Sequence, residues 1–168
     1  MVVRTHFLLR GVLLLALAFV PSGYAQEWRS EPLSAIDRQY MVDQHEVIDD
    51  LARRHFGRQL NGQPDNDIAI LQRLLDDGIV GKQQVSELQA MGLVLGELLK
   101  AQKGLNWVVY YDKYGRSRSL QVPGIDREFI FPITQISRLA EVGIRVDVRK
   151  VYAKLEQAVI DIRNKPPL

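Results

Sequence analysis

Apolar positions recur near helical spacing from Ile36 onward: Tyr40, Val47, Ile48, Leu51 and Phe56 follow before Gly57 stops the run. Ahead of them Ser34-Ala35-Ile36-Asp37 matches a capping box, with Ser34 as N-cap and Asp37 reaching back to it. Asp49–Arg53 and Asp50–Arg54 stand four apart and suit a wet helix face. These features predict a first helix over 34–57. The stretch from Gly57 to Asn66 carries Gly, Asn and Pro and reads as a loop. Ile68, Leu71, Leu74 and Leu75 predict a short second helix stopped near Gly78. A third runs from about Lys82 to Lys103 and ends at Gly104. Its apolar residues, Val85, Leu88, Met91, Val94, Leu95, Leu98 and Leu99, cover most of the circumference, which places this helix at the centre of the fold.

Beyond Gly104 the period drops from 3.6 to 2. Asn106 to Asp112 reads as a strand, Asp112 to Gly115 as a turn, and Arg116 to Val122 as the returning partner. Alternation puts Trp107, Val109 and Tyr111 on one face and Val108, Tyr110 and Asp112 on the other. Glu128 to Phe131 can supply a third strand. Pro132 suits the first turn of a helix carrying Ile133, Ile136 and Leu139. Asp147 caps a last helix with Val148, Val151, Tyr152, Leu155, Val159 and Ile162. Gln26 to Leu33 reads as an extended lead-in. The expected fold is α+β: helices packed on a small antiparallel sheet of about three strands, in a single domain. Its helical N-terminal part spans 34–80 and its second part 82–163.

The start of the chain follows a different pattern. Arg4 and Arg10 lead into an apolar run, Gly11 to Val20, and small residues Gly23 and Ala25 stand three and one before Gln26. This is the anatomy of a secretory signal peptide, residues 1–25, cleaved after Ala25, and it predicts a periplasmic or secreted protein. An uncleaved anchor needs roughly 20 apolar residues, and Arg10 interrupts the run. The mature chain, 26–168, is therefore expected not to span a membrane.

Composition changes the picture in two respects. The formal charge of +2 comes from 22 Lys and Arg against 20 Asp and Glu, and the leader holds two of the Arg and none of the acids. The mature part is balanced, so nucleic acid is not an expected partner. The chain has no Cys, which excludes disulfides, thiol catalysis and Cys-based metal sites. An exported chain of this kind must be held by its core alone.

Gly92-Leu93-Val94-Leu95-Gly96-Glu97, Gly104-Leu105-Asn106-Trp107, Asp112…Gly115, Phe131-Pro132…Ile136…Arg138 and Val146-Asp147-Val148, in that order, resemble the bacterial family known as domain of unknown function 3806. The resemblance covers about residues 88–152 and leaves the helical N-terminal part outside. It implies a small bacterial α+β domain with no established activity, and it carries over no catalytic residue.

Glu97 is the lone acid in the greasy third helix. Burying it unpaired would cost several kcal/mol, so Arg138 or Lys100 is expected beside it if it is buried. It can be read as a structural acid, a ligand contact, or a general acid raised by burial. No second carboxylate stands at a motif spacing to help it. Gly92 and Gly96 share a helical face, each at a cost of up to about 1 kcal/mol relative to Ala, and predict close approach by another helix or the sheet. A membrane-dimer reading of that spacing fails, because Glu87 and Lys100 bracket too short an apolar segment. His45 and Asp49 lie on one helix face but lack the second His of a zinc-protease helix, and His55 is off that face. No metal and no cofactor are expected.

Trp107, Tyr110, Tyr111 and Tyr114 with Lys113, Arg116 and Arg118 form the most distinctive chemical neighbourhood, and these are the residue types that anchor interfaces. There is no Gly-rich phosphate loop and no Gly-x-Ser-x-Gly elbow. The expected function is a non-catalytic periplasmic binding or interaction domain, of inhibitor or immunity type, that contacts another periplasmic protein through the hairpin. The alternative is a small periplasmic hydrolase with Glu97 as general acid.

Overall fold

A computed structural model describes residues 28–166. The expected leader and its cleavage point lie outside the described residues. In chain order the elements are β1 (Arg29–Pro32), α1 (Ala35–Phe56), α2 (Pro64–Asp76), α3 (Val85–Lys103), β2 (Asn106–Asp112), β3 (Gly115–Gln121), β4 (Phe129–Ile130), α4 (Gln135–Glu141) and α5 (Val148–Asn164). The fold is α+β, with one antiparallel sheet in the order β1-β2-β3-β4.

The sheet has four strands where about three were expected. The lead-in supplies the extra one: β1 pairs with β2 from Arg29↔Tyr111 to Pro32↔Val108, across three intervening helices. Its residues, Arg-Ser-Glu-Pro, carry no apolar alternation. An edge strand that is short, charged and closed by Pro avoids unwanted pairing, and the same traits hide it from a periodicity search.

Local chemistry explains the helix ends. Ser34 Oγ accepts from the Asp37 amide and the Asp37 carboxylate accepts from the Ser34 amide, each at 3.1 Å, so the capping box is complete. Gly57 closes α1 in the left-handed region, where a side chain would be strained. Asp147 caps α5 by accepting from the Lys150 amide at 3.0 Å. Pro132 does not open a helix as expected. α4 begins three residues later, after a turn in which the Gln135 amide donates to Pro132 O at 3.1 Å, and the Pro132 ring packs against α3 instead.

α3 is the hub. Leu88, Met91, Leu95 and Leu99 are completely buried, each worth about 1.5–3 kcal/mol of apolar burial. The other four helices all contact it. Its two glycines sit where neighbours press closest. A Cβ on Gly92 would lie 2.7 Å from Pro132 O and nearer still to Ile133 O, and one on Gly96 would lie 2.5 Å from the Trp107 ring. The segment leading into α4 and the sheet both rest on this strip of α3, which fixes where Trp107 and Glu97 meet.

A candidate binding cleft beside Glu97

Trp107 begins β2 with its indole buried over Gly96, at 7% exposure. A buried indole N–H needs an acceptor. Glu97, one residue beyond Gly96 on α3, provides it: Nε1 donates to Oε1 at 2.6 Å. The other carboxylate oxygen stands 3.6 Å from Lys100 Nζ, and the side chain remains about one-third exposed. The expected Arg138 partnership is absent, since Arg138 lies exposed on α4 and makes no ion pair among the described residues. Lys100, one turn along the same helix, reaches the carboxylate because i,i+3 neighbours share a face.

Glu97 opens onto a cleft of about 1000 Å³ between α1, α3 and the start of β2. The α1 wall presents Met41, Val42 and His45, and the α3 wall Val94, Leu98 and Ala101. Val42 is half exposed there. Arg38 and Glu46 also line it, so an apolar floor carries a rim of both charges. Such a surface suits an amphipathic ligand with a donor for Glu97. Both Glu97 oxygens face donors, Trp107 Nε1 and, at longer range, Lys100 Nζ.

The hairpin cluster is divided among several places. Trp107 is buried at 7% exposure and lines the cleft beside Glu97, not the outer face of the hairpin. Arg116 and Arg118 turn inward onto α1: both reach the Asp37 carboxylate, Arg118 at 3.0 Å, and the Arg118 guanidinium lies 4.0 Å from the Tyr40 ring centroid. Tyr111 is half-buried between the Arg29 and Arg116 guanidiniums. Tyr110 points to the opposite face, among Trp28, Phe129 and Phe131, with ring centroids 4.8 Å from Phe129 and 5.3 Å from Phe131. Burial, then the Asp112 charge, pushes its phenol up. Tyr114 at the turn is left free, 86% exposed. Strand alternation had already separated Tyr110 from Tyr111; what it could not show is that the Arg pair is tied to Asp37 of α1.

Asp37 is the residue that sequence reasoning undervalued. Its side chain is 2% exposed. Burial by itself pushes its carboxyl up, but hydrogen bonds from Arg116 and Ser34 outweigh that and hold it well below the usual carboxylate range. The capping motif marked the residue without marking its two distant partners. Asp49, the other half of the His45 pair, accepts from the Leu60 amide at 2.7 Å and pairs with Arg53, so it anchors a loop. Among the described residues no group of three or more His, Asp or Glu could hold a metal.

Residues 67–152, just over half of the chain, match the family model described as Domain of unknown function (DUF3806). The chain belongs to this family. The DUF3806 stretch begins within α2, earlier than the residues that carried the resemblance. It supplies α3, the hairpin, Glu97 and Trp107, while β1 and α1 precede it, so one wall of the cleft and the Asp37 node come from outside the matched stretch. A crystal structure from Bacteroides thetaiotaomicron VPI-5482 shares the fold, with a TM-score of 0.69 and 17% identity over 83% of this chain. This chain spans half the length of that one. No curated protein matches.

Proposed function

We propose that this DUF3806 protein is a non-catalytic binding protein of the bacterial periplasm, and that the cleft beside Glu97 receives its ligand. The observation that carries the reading is a carboxylate fixed by Trp107 at 2.6 Å on the wall of a large, mostly apolar cleft. A side chain held by a buried indole is pre-oriented, so little entropy is lost when a ligand donor meets it. The favoured occupant is an amphipathic segment of another exported protein, apolar side chains down and a donor toward Glu97. The Arg4 and Arg10 start, the Gly11 to Val20 run and the small residues at Gly23 and Ala25 support the compartment. Placing the contact in the cleft and not on the hairpin is favoured by Arg116 and Arg118, which both reach the Asp37 carboxylate of α1.

The test is site-specific photocrosslinking in living cells. A photoreactive residue replaces Val42 on the cleft wall or, separately, Tyr114 at the hairpin turn. A discrete adduct from position 42 and none from 114 is expected. Adducts from 114 alone would return the contact to the hairpin, and none from either would defeat the binding reading.

A further inference from the structure

α1 and α3 pack directly on each other, so the cleft beside Glu97 runs along a pair of helices. Its α1 wall is built from Arg38, Met41, Val42 and His45. Its α3 wall is built from Val94, Glu97, Leu98 and Ala101. Each set stands at i, i+3, i+4 and i+7, which is one face of a helix over two turns. Two such faces beside an open space lack the third that would close a three-helix seam. Two turns of α-helix, about 10.5 Å long and about 10–12 Å across, fill about 800–1,200 Å³. The cleft measures about 1000 Å³. The sizes agree.

The α1 wall also carries free charge at both ends. Arg38 is exposed, donates one N–H to Leu33 O at 2.6 Å, and pairs with no acid among the described residues. Glu46, eight positions on, is exposed and makes neither an ion pair nor a hydrogen bond among them. About 12 Å of helix separates the two. Between them Val42 stands 51% exposed. Opposite charges at the ends of an apolar strip select an occupant with the reverse order of charge. Helices favour acids in their first turn and bases in their last. A helix of that composition matches this wall in one direction, its start over Arg38 and its end over Glu46.

We propose, resting on the binding reading of this cleft, that its occupant is an amphipathic helix of the partner protein lying parallel to α1. An acid at position i meets Arg38, apolar residues at i+3, i+4 and i+7 fill the space between Val42 and Leu98, and a base at i+8 meets Glu46. Helices that dock in apolar grooves are held by anchors of this spacing. The buried apolar positions supply the affinity, and the two exposed charges fix the direction.

The probe is a blocked peptide of about 15 residues, long enough to form a helix. It has glutamate at its third position, leucine at the sixth, seventh and tenth, lysine at the eleventh, and alanine or glutamine elsewhere. Isothermal titration of the whole protein should show saturable binding, and the Trp107 indole proton should shift in the NMR spectrum. Exchanging the glutamate and lysine should weaken binding about tenfold or more, because like charges then face each other. Proline at the eighth position should abolish it. A protein carrying Arg38→Glu with Glu46→Arg should prefer the exchanged peptide, a reversal that also shows the variant is folded. No saturable binding of the first peptide would overturn the helix proposal, as would equal binding of the exchanged or the proline peptide. So would an unchanged preference in the doubly substituted protein. In each of these cases a surviving adduct from position 42 in cells keeps the cleft as a binding site for another kind of segment, whereas its loss defeats that reading as well.

Discussion

Asp37 and Arg118 lie 81 residues apart in the chain and 3.0 Å apart in space. Asp37 closes the cap of α1 from within, and Arg118 reaches it from the hairpin with Arg116 alongside. One carboxylate therefore orients the helix that forms a cleft wall and the sheet that forms its floor.

Replacing Asp37 should cost more than losing a cap. Asp37→Ala strands two guanidiniums and the Ser34 amide, and breaking a buried ion pair costs about 3–5 kcal/mol. Arg116 and Arg118 keep 39% and 18% side-chain exposure, which moves the expectation to the lower end, about 3 kcal/mol. Urea unfolding measures it; a loss of about 0.5 kcal/mol, as for an ordinary surface position, would refute the coupling.

Acid should act through the same group. The Asp37 pKa is depressed in the folded state from the ordinary 3.8. Its contribution is therefore complete above about pH 4 and is lost as pH falls through the folded value. Unfolding free energies of native protein and Asp37→Asn, followed from pH 6 to pH 2, should converge below about pH 4. A constant gap across that range would contradict the assignment.

The two α3 glycines should respond unequally to a methyl group. At Gly92 the obstructing atoms are backbone, Pro132 O and the Ile133 carbonyl, which cannot step aside. At Gly96 they are the rings of Trp107 and Pro132. Gly92→Ala is expected to lose at least about 2 kcal/mol despite the roughly 1 kcal/mol gained in helix propensity, and Gly96→Ala less. Thermal melts decide; a Gly92→Ala protein as stable as the native would show that the approach of α4 is not close.

Glu97 should behave as an acceptor. Glu97→Leu leaves the Trp107 N–H buried and unpaired, a loss of about 1–3 kcal/mol, whereas Glu97→Gln can still accept and should lose under about 1 kcal/mol. The Trp107 indole proton in an NMR spectrum reads the bond directly, shifting far more in the Leu variant. A hydrolase using Glu97 as its acid would instead lose turnover in Glu97→Gln with its melting temperature unchanged.

Most of the secondary structure was legible because its causes are local. Ser34 and Asp37 meet within one turn, Asp147 caps its own helix, and the all-round apolar face of α3 announces a central position without reference to any other element. The two glycines also signalled close approach by another helix or the sheet, and Trp107 of the sheet and the segment leading into α4 are what press there. β1 escaped because an edge strand of Arg-Ser-Glu-Pro has no apolar side to alternate. Pro132 misled because the same ring that suits a helix start also packs close against Gly96 of α3.

The candidate site was legible only in fragments. Glu97 stood out as a lone acid and Lys100, one of its two expected partners, is beside it, but the indole of Trp107 was not foreseen, nor was the Asp37 carboxylate that ties Arg116 and Arg118 to the cap of α1. Sequence by itself determined the five helices, the hairpin and the caps at Ser34 and Asp147, since those preferences act over three or four neighbours. Tertiary structure alone decided which charges are free and which side chains share a cleft, because a contact between residues such as 37 and 118 exists only once the elements between them have packed.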